Sequence, residues 1–194
     1  MKLQDLESIR TEIAASIAVK QLVLADDALL QQISALAQAC VAALKAGGKI
    51  IFAGNGGSFA DAQHLSAEFT SRFMFDRAPL ASIALGTNNS AISAIGNDYG
   101  YEQVFSRELQ GIAQPADVFV AISTSGNSAN VLAAVAMARH LKIKTVALTG
   151  ISGGRLVDIC ECIRVPSRET ARIQEGHILF GHVLCGLVEK KFFH

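Results

Sequence analysis

Three prolines in 194 residues, no low-complexity stretch and no surplus of either charge are the first features of this chain, with 17 Lys and Arg set against 17 Asp and Glu. Scarce proline and unbiased composition, with 51% hydrophobic residues, exclude an extended or disordered protein. A formal charge of zero offers nothing that would draw nucleic acid or an anionic membrane surface. The opening residues MKLQDLESIRTEI carry charges throughout and lack the apolar centre of a signal peptide, and no uninterrupted apolar run approaches a membrane span. A cytoplasmic protein with neither membrane nor nucleic acid as a partner is therefore expected. Cys40, Cys160, Cys162 and Cys185 lack CxxC spacing and sit among apolar neighbours, which points to reduced, buried thiols. There is no GxGxxG fingerprint and no P-loop lysine, so nothing suggests a dinucleotide site or a kinase.

The length suits one domain able to bury a core without disulfides. Zero net charge with positive mean hydropathy leaves apolar surface to be covered between subunits, so an oligomer is expected. Leu3, Leu6, Ile9, Ile13 and Ile17 recur at helical spacing and predict an amphipathic first helix whose stripe meets another helix or another subunit. A second helix starts at Asp26-Asp27 and stops at Gly47-Gly48. Beyond it, the apolar runs Ile50 to Ala53, Leu80 to Leu85, Val118 to Ile122, Thr145 to Leu148 and Cys162 to Val165 read as strands separated by helical segments. A short helix from Asn88 to Ile95 is expected to end in the polar loop Gly96-Asn97-Asp98-Tyr99-Gly100, and a long apolar helix runs from Glu169 to Phe192. Strands alternating with helices predict right-handed crossovers and an α/β sandwich with a parallel sheet, in which ligands bind beyond the carboxyl ends of the strands.

Two strand ends carry chemistry. After Ala53 comes Gly54-Asn55-Gly56-Gly57-Ser58 and a helix start, and after Ile122 comes Ser123-Thr124-Ser125-Gly126-Asn127-Ser128 and another. Unpaired amides at a helix start, flexible glycines and clustered hydroxyls can hold a phosphate with neutral donors, while a ligand-free tight turn and a Ser-rich N-cap are the plainer readings. His64 and Glu68 leave one face of the same helix one turn apart, as half a zinc site, an acid/base pair or a solvated face.

Taken together, GNGGS, His64-x-x-x-Glu68, GND at Gly96 to Asp98, STSGNS at Ser123 to Ser128 and RIQE at Arg172 to Glu175, with His182 eight residues after Gln174, are similar to the phosphoheptose isomerases of the sugar isomerase (SIS) domain family over nearly the whole chain. The resemblance implies one SIS domain over residues 1–194, a flavodoxin-like three-layer sandwich with a five-stranded parallel sheet, and a homotetramer in which the helices of residues 1–46 pack between subunits. It implies one Zn2+ per subunit on His64, Glu68, Gln174 and His182. Ser123, Thr124, Ser125 and Ser128 would hold the phosphate, and Asn55, Gly56, Gly57, Asn97 and Asp98 would line the sugar, with Ser58, Glu68 and Gln174 also at the substrate. Glu68 and His182 would be the acid/base pair that turns D-sedoheptulose 7-phosphate into D-glycero-D-manno-heptose 7-phosphate through an enediol, for the synthesis of activated heptose in lipopolysaccharide, capsule or surface-layer glycans.

Two alternatives stand beside it. One is a non-catalytic phosphosugar-binding regulator of replication initiation, which lacks the metal and acid/base side chains kept here in Glu68 and His182. The other is an isomerase of another phosphosugar. Gln174 and His182 lie about 12 Å apart along a helix axis, so they converge from two turns, or the helix is irregular, or they come from different subunits. His177 competes for the ligand role.

Overall fold

A computed structural model of the chain describes residues 3–194, the side chain of Leu3 lying outside the description. Helices α1 (Leu3–Leu24) and α2 (Asp27–Lys45) precede β1 (Ile50–Gly54) and α3 (Gly57–Thr70). Then come β2 (Ser82–Ala84), α4 (Asn89–Tyr99), a 3-10 turn at Tyr101–Gln103 and α5 (Val104–Ile112). The chain closes with β3 (Val118–Ile122), α6 (Ala129–His140), β4 (Lys144–Gly150), a 3-10 turn at Gly154–Asp158, β5 (Glu161–Val165) and α7 (Thr170–Phe193). All strand pairs are parallel and the sheet order is β2-β1-β3-β4-β5. This is the flavodoxin-like order, and it places the switch point between β1 and β3.

Alternation along the strands divides the core in two. Ile50 and Phe52 of β1 and Val118, Val120 and Ile122 of β3 face a layer built from α2, α3 and α7. Ile51, Ala53, Phe119 and Ala121 face the layer of α5 and α6. Helix α2 is long and apolar enough to cross a membrane, yet Leu29, Ile33, Leu36, Ala37 and Cys40 are buried against this core. Asp26 caps it as expected, accepting from the Leu29 amide at 3.0 Å.

Some elements depart from the sequence reading. Helix α4 does not stop at Ile95: Asn88 caps its start and the helix carries Gly96, Asn97 and Asp98 inside it before Gly100, at φ 88°, turns the chain. Asn97 and Asp98 therefore stand exposed on a helix and not in a loop. A glycine and two short polar side chains weaken a helix without breaking it when tertiary contacts hold it. The predicted strand at Leu80 shrinks to three residues at the sheet edge. Helix α1 meets α7 through polar groups, Ser16 donating to Glu175 at 2.6 Å and Arg172 lying 3.6 Å from Glu12. Its apolar stripe faces outward, Ile9, Ile13 and Ile17 being about half exposed.

Among the described residues the four cysteines are unpaired. Burial pushes the Cys40 thiol up to about 12, so it is an inert core group.

His177, fully buried on α7, has both ring nitrogens without a well-formed hydrogen bond. Burial lowers its pKa to about 4, against a smaller opposing effect of the Thr149 backbone. The unfolded chain takes up this proton near its ordinary value of 6.5 and the folded chain does not, so stability is full above 6.5 and declines as pH falls toward 4. The loss should be on the order of 3 kcal/mol across that window. Melting curves of wild type and His177→Leu between pH 7 and 4 should diverge, the variant lacking this part of the decline.

Candidate active site

At the switch point the loops after β1 and β3 lie side by side, since Gly54 pairs with Ile122 at the strand ends. Both lead into helices without a side-chain cap, α3 behind Gly56 and α6 behind Ser128. The Ser128 hydroxyl goes instead to Ser123 Oγ at 3.2 Å. The first amides of α3 and α6 thus keep their donors for a ligand. The second loop is shaped by its own groups: the Gly126 amide donates to Ser123 Oγ and the Asn127 amide to Ser125 Oγ, each at 3.2 Å. Gly126 has φ 66°, and a Cβ there would overlap the Gly153 carbonyl, so no other residue suits this turn.

Asn55 and Asn130 bridge the two loops. Asn55 Nδ2 donates to Asn130 Oδ1 at 2.8 Å, and Asn130 Nδ2 returns a bond to Asn55 Oδ1 at 2.9 Å. Tyr101 adds its hydroxyl to Asn55 Oδ1 at 3.3 Å. Asn55 and Gly56 open on a cavity of about 220 Å³ that Phe59, Asn89 and Tyr101 also line. Thr124 and Ser125 open on another of about 220 Å³, shared with Ser152, Ser167, Arg168 and Thr170. Its wall is rich in hydroxyls, and Arg168 is the one cation among its described lining residues.

The expected His/Glu pair finds its partner on α7. His64 Nε2 lies 3.3 Å from Glu68 Oε1 and 2.9 Å from His182 Nε2, and one donor atom from each of the three residues falls within 4.8 Å of the others. Two imidazoles and a carboxylate are a zinc-type donor set. Tetrahedral bonds of that metal would set two nitrogens about 3.3 Å apart, a small opening from the 2.9 Å found. The group fits a metal ion.

Gln174 stands elsewhere in this chain. A Cβ on Gly57 would lie 2.5 Å from Gln174 Nε2, so the amide rests on the bare backbone at the start of α3. His64 is two turns further along, about 10 Å of helix rise. Helix α7 is continuous from Thr170 to Phe193, which removes the irregular-helix explanation of the Gln174 and His182 spacing. His177 is buried away from the group and is no competitor for it. Asn97 and Asp98 line a shallow depression on the outer side of α4 with Ser90 and Ser93, and the Asn97 amide donates to Asp98 at 2.8 Å.

Several residues had no signal in the sequence reading. Asp61, one turn before His64, has a buried Oδ2 without a partner; burial raises its pKa, against the lowering charges of His64 and His182. Asn130 and Tyr101 follow just after segments 123–128 and 96–100 without belonging to either, and only the loop contact reveals them.

Known proteins resemble this chain in sequence and in fold. The sequence model of the SIS domain matches residues 14–150. A phosphoheptose isomerase from Aneurinibacillus thermoaerophilus is 51% identical over 186 residues, covering 95% of this chain and 94% of that protein. Among solved structures, a phosphoheptose isomerase from Neisseria gonorrhoeae superimposes with a TM-score of 0.88 at 41% identity, over 97% of this chain and all of that one. Another from Francisella tularensis reaches a TM-score of 0.91 at 37% identity, over 98% of this chain and all of that one.

Calorimetric titration with Zn2+ should give about one site per chain. His64→Ala should weaken it by at least tenfold, since one ligand of the set is lost.

Proposed function

The chain belongs to the SIS domain family, and we propose that it is an aldose-ketose isomerase of the phosphoheptose isomerase kind, converting D-sedoheptulose 7-phosphate to D-glycero-D-manno-heptose 7-phosphate. The observation that carries the reading is the meeting of His64, Glu68 and His182 on two helices, one starting behind the loop of Asn55 and Gly56 and the other beside the hydroxyl-rich cavity of Thr124, Ser125 and Arg168. An isomerase of this class needs a base for a carbon-bound proton, an acid for the carbonyl oxygen and a hold on the phosphate.

Ser123, Thr124, Ser125 and Ser128, with the first amides of α6, take the phosphate. Asn55, Gly56, Gly57, Ser58 and Gln174 then line the sugar chain toward the His/Glu group, a run of roughly 10 Å that favours a long substrate. Asn97 and Asp98, on the outer side of α4, are assigned to the sugar as well, in the assembled oligomer. Glu68 takes a proton from C1 and His182 gives one to the C2 carbonyl oxygen, which yields the enediol. Return of a proton to C2, with loss of the C1 hydroxyl proton, completes the aldose. A zinc ion on His64, Glu68 and His182 would lower the cost of charge on the substrate oxygen. Gln174 joins that set only if its side chain turns from Gly57 toward His182.

The half-exposed stripe of Ile9, Ile13 and Ile17 supports a homo-oligomer, proposed as a tetramer. A cytoplasmic location and a role ahead of heptose activation go with this chemistry. Because Glu68 and His182 are both present and brought together with His64, the non-catalytic regulator reading is disfavoured.

Product formation from sedoheptulose 7-phosphate, followed by NMR, should fall on chelation and return with Zn2+; no turnover in either state would defeat the proposal. Glu68→Gln should abolish turnover with the fold intact, and near-normal rates would remove Glu68 from the base role. Ser125→Ala should weaken phosphosugar binding by about 1 kcal/mol, roughly fivefold, for one lost donor. Light scattering should show a multimer that Ile13→Asp shifts toward smaller mass.

A further inference from the structure

Between α3 and β2 the chain is tied down by two buried charges to which the isomerisation assigns no role. Glu189, 1% exposed near the end of α7, accepts from the amides of Phe73 at 2.9 Å and Met74 at 2.8 Å and from Arg77 Nε at 2.9 Å. Burial works to raise its pKa, and these donors outweigh burial and hold the carboxyl below its usual range. Arg77 in turn donates to the carbonyls of Glu68 at 2.8 Å, Phe69 at 2.7 Å, Ser71 at 3.0 Å and Ala78 at 3.1 Å. Some of these are the acceptors that the last turn of α3 leaves without helical partners.

Both ends of the pair reach the His/Glu group. Arg77 grips the backbone of Glu68 itself. Glu189 grips the backbone of Phe73, whose ring lies against the His182 imidazole with centroids 5.6 Å apart and planes within 18°. The other side of His182 meets His64 edge-on, at 5.1 Å and 69°. An imidazole in a half-open groove can turn about its outer bond, and a parallel ring laid on one face favours a single plane. A pair of apolar side chains would leave these two amides and four carbonyls without their partners, so the ion pair both satisfies the backbone of the segment and fixes its direction.

We propose that Phe73 and the Arg77–Glu189 pair are positioning residues for the metal and acid/base centre: the pair sets the Glu68 backbone and the Phe73 ring, and that ring sets the plane of His182. The inference rests on the reading of His64, Glu68 and His182 as a metal-binding group. Groups that orient metal ligands from behind typically change metal affinity or activity by 10- to 100-fold.

Phe73 is half-buried, so Phe73→Leu should fold, whereas Glu189→Gln strands a buried guanidinium. Zn2+ titration of the full chain should show Phe73→Leu binding at least about tenfold more weakly, with kcat lowered in step, KM for the sugar phosphate within about twofold, and the melting temperature little changed. Phe73→Tyr, which keeps the ring, should behave as wild type. Arg77→Lys, which keeps the charge opposite Glu189 but gives up the planar fork on the carbonyls of α3, should show a loss of affinity in the same direction. Wild-type Zn2+ affinity in Phe73→Leu and in Arg77→Lys would overturn the proposal. If wild type takes up no Zn2+, the metal reading fails separately, and imidazole NMR decides: His182 ring signals altered in Phe73→Leu but not in Phe73→Tyr support the positioning role, and identical spectra refute it.

Discussion

Helices α3 and α7 run side by side in the same direction at a distance that only glycine permits. A Cβ on Gly181 would stand 2.4 Å from Leu65 Cδ2, and one on Gly57 would stand 2.5 Å from the Gln174 amide. This contact sets the site. It brings His182 opposite His64 and Glu68, lays Gln174 at the start of α3, and places Glu189 under the segment that follows α3. A side chain at Gly181 would press on buried Leu65 and push α7 outward, so that the three metal-type donors would no longer share one volume, whereas one at Gly57 would displace only the end of the Gln174 side chain.

The second constraint is electrical. The proposed phosphate loop holds no lysine or arginine, and what it offers is hydroxyls, backbone amides and two uncapped helix ends. Such a site costs little to leave empty, because every donor stays hydrated or bonded to its neighbours. Next to the centre, burial raises the Asp61 carboxyl above its usual range, against the lowering influence of His64 and His182.

The third feature is what the single chain leaves uncovered. The isoleucine stripe of α1 points outward. Near His182 a groove of about 590 Å³ is lined by Phe73, Met74, Phe75, Val183 and Leu187. Polar contacts fasten α1 to α7 through Glu12, Ser16, Arg172 and Glu175, so the helix is held with its apolar face free. That arrangement leaves apolar surface of the kind that association between copies would cover, in line with the proposed oligomer.

How far the molecule could be read from its sequence follows from the range of the forces involved. The five strands, the start of α2 and the two loop-to-helix junctions were legible, because period, caps and glycine turns act over a few residues. The pairing of His64 with Glu68 was legible for the same reason, as one turn of helix joins them. The length of α4 was not, since Gly96, Asn97 and Asp98 have loop-like propensities that the surrounding contacts override. Nor were the Asn55–Asn130 bridge, the unpartnered Asp61 carboxylate, the resting place of Gln174 or the Arg77–Glu189 pair. Each of these depends on two segments far apart in the chain meeting at a distance set by packing, and local composition carries no record of that distance. The sequence by itself determined which elements form and which chemical groups are available; the tertiary structure decided which of those groups meet, because only the close approach of α3 and α7 and the order of the strands converts sequence positions into distances.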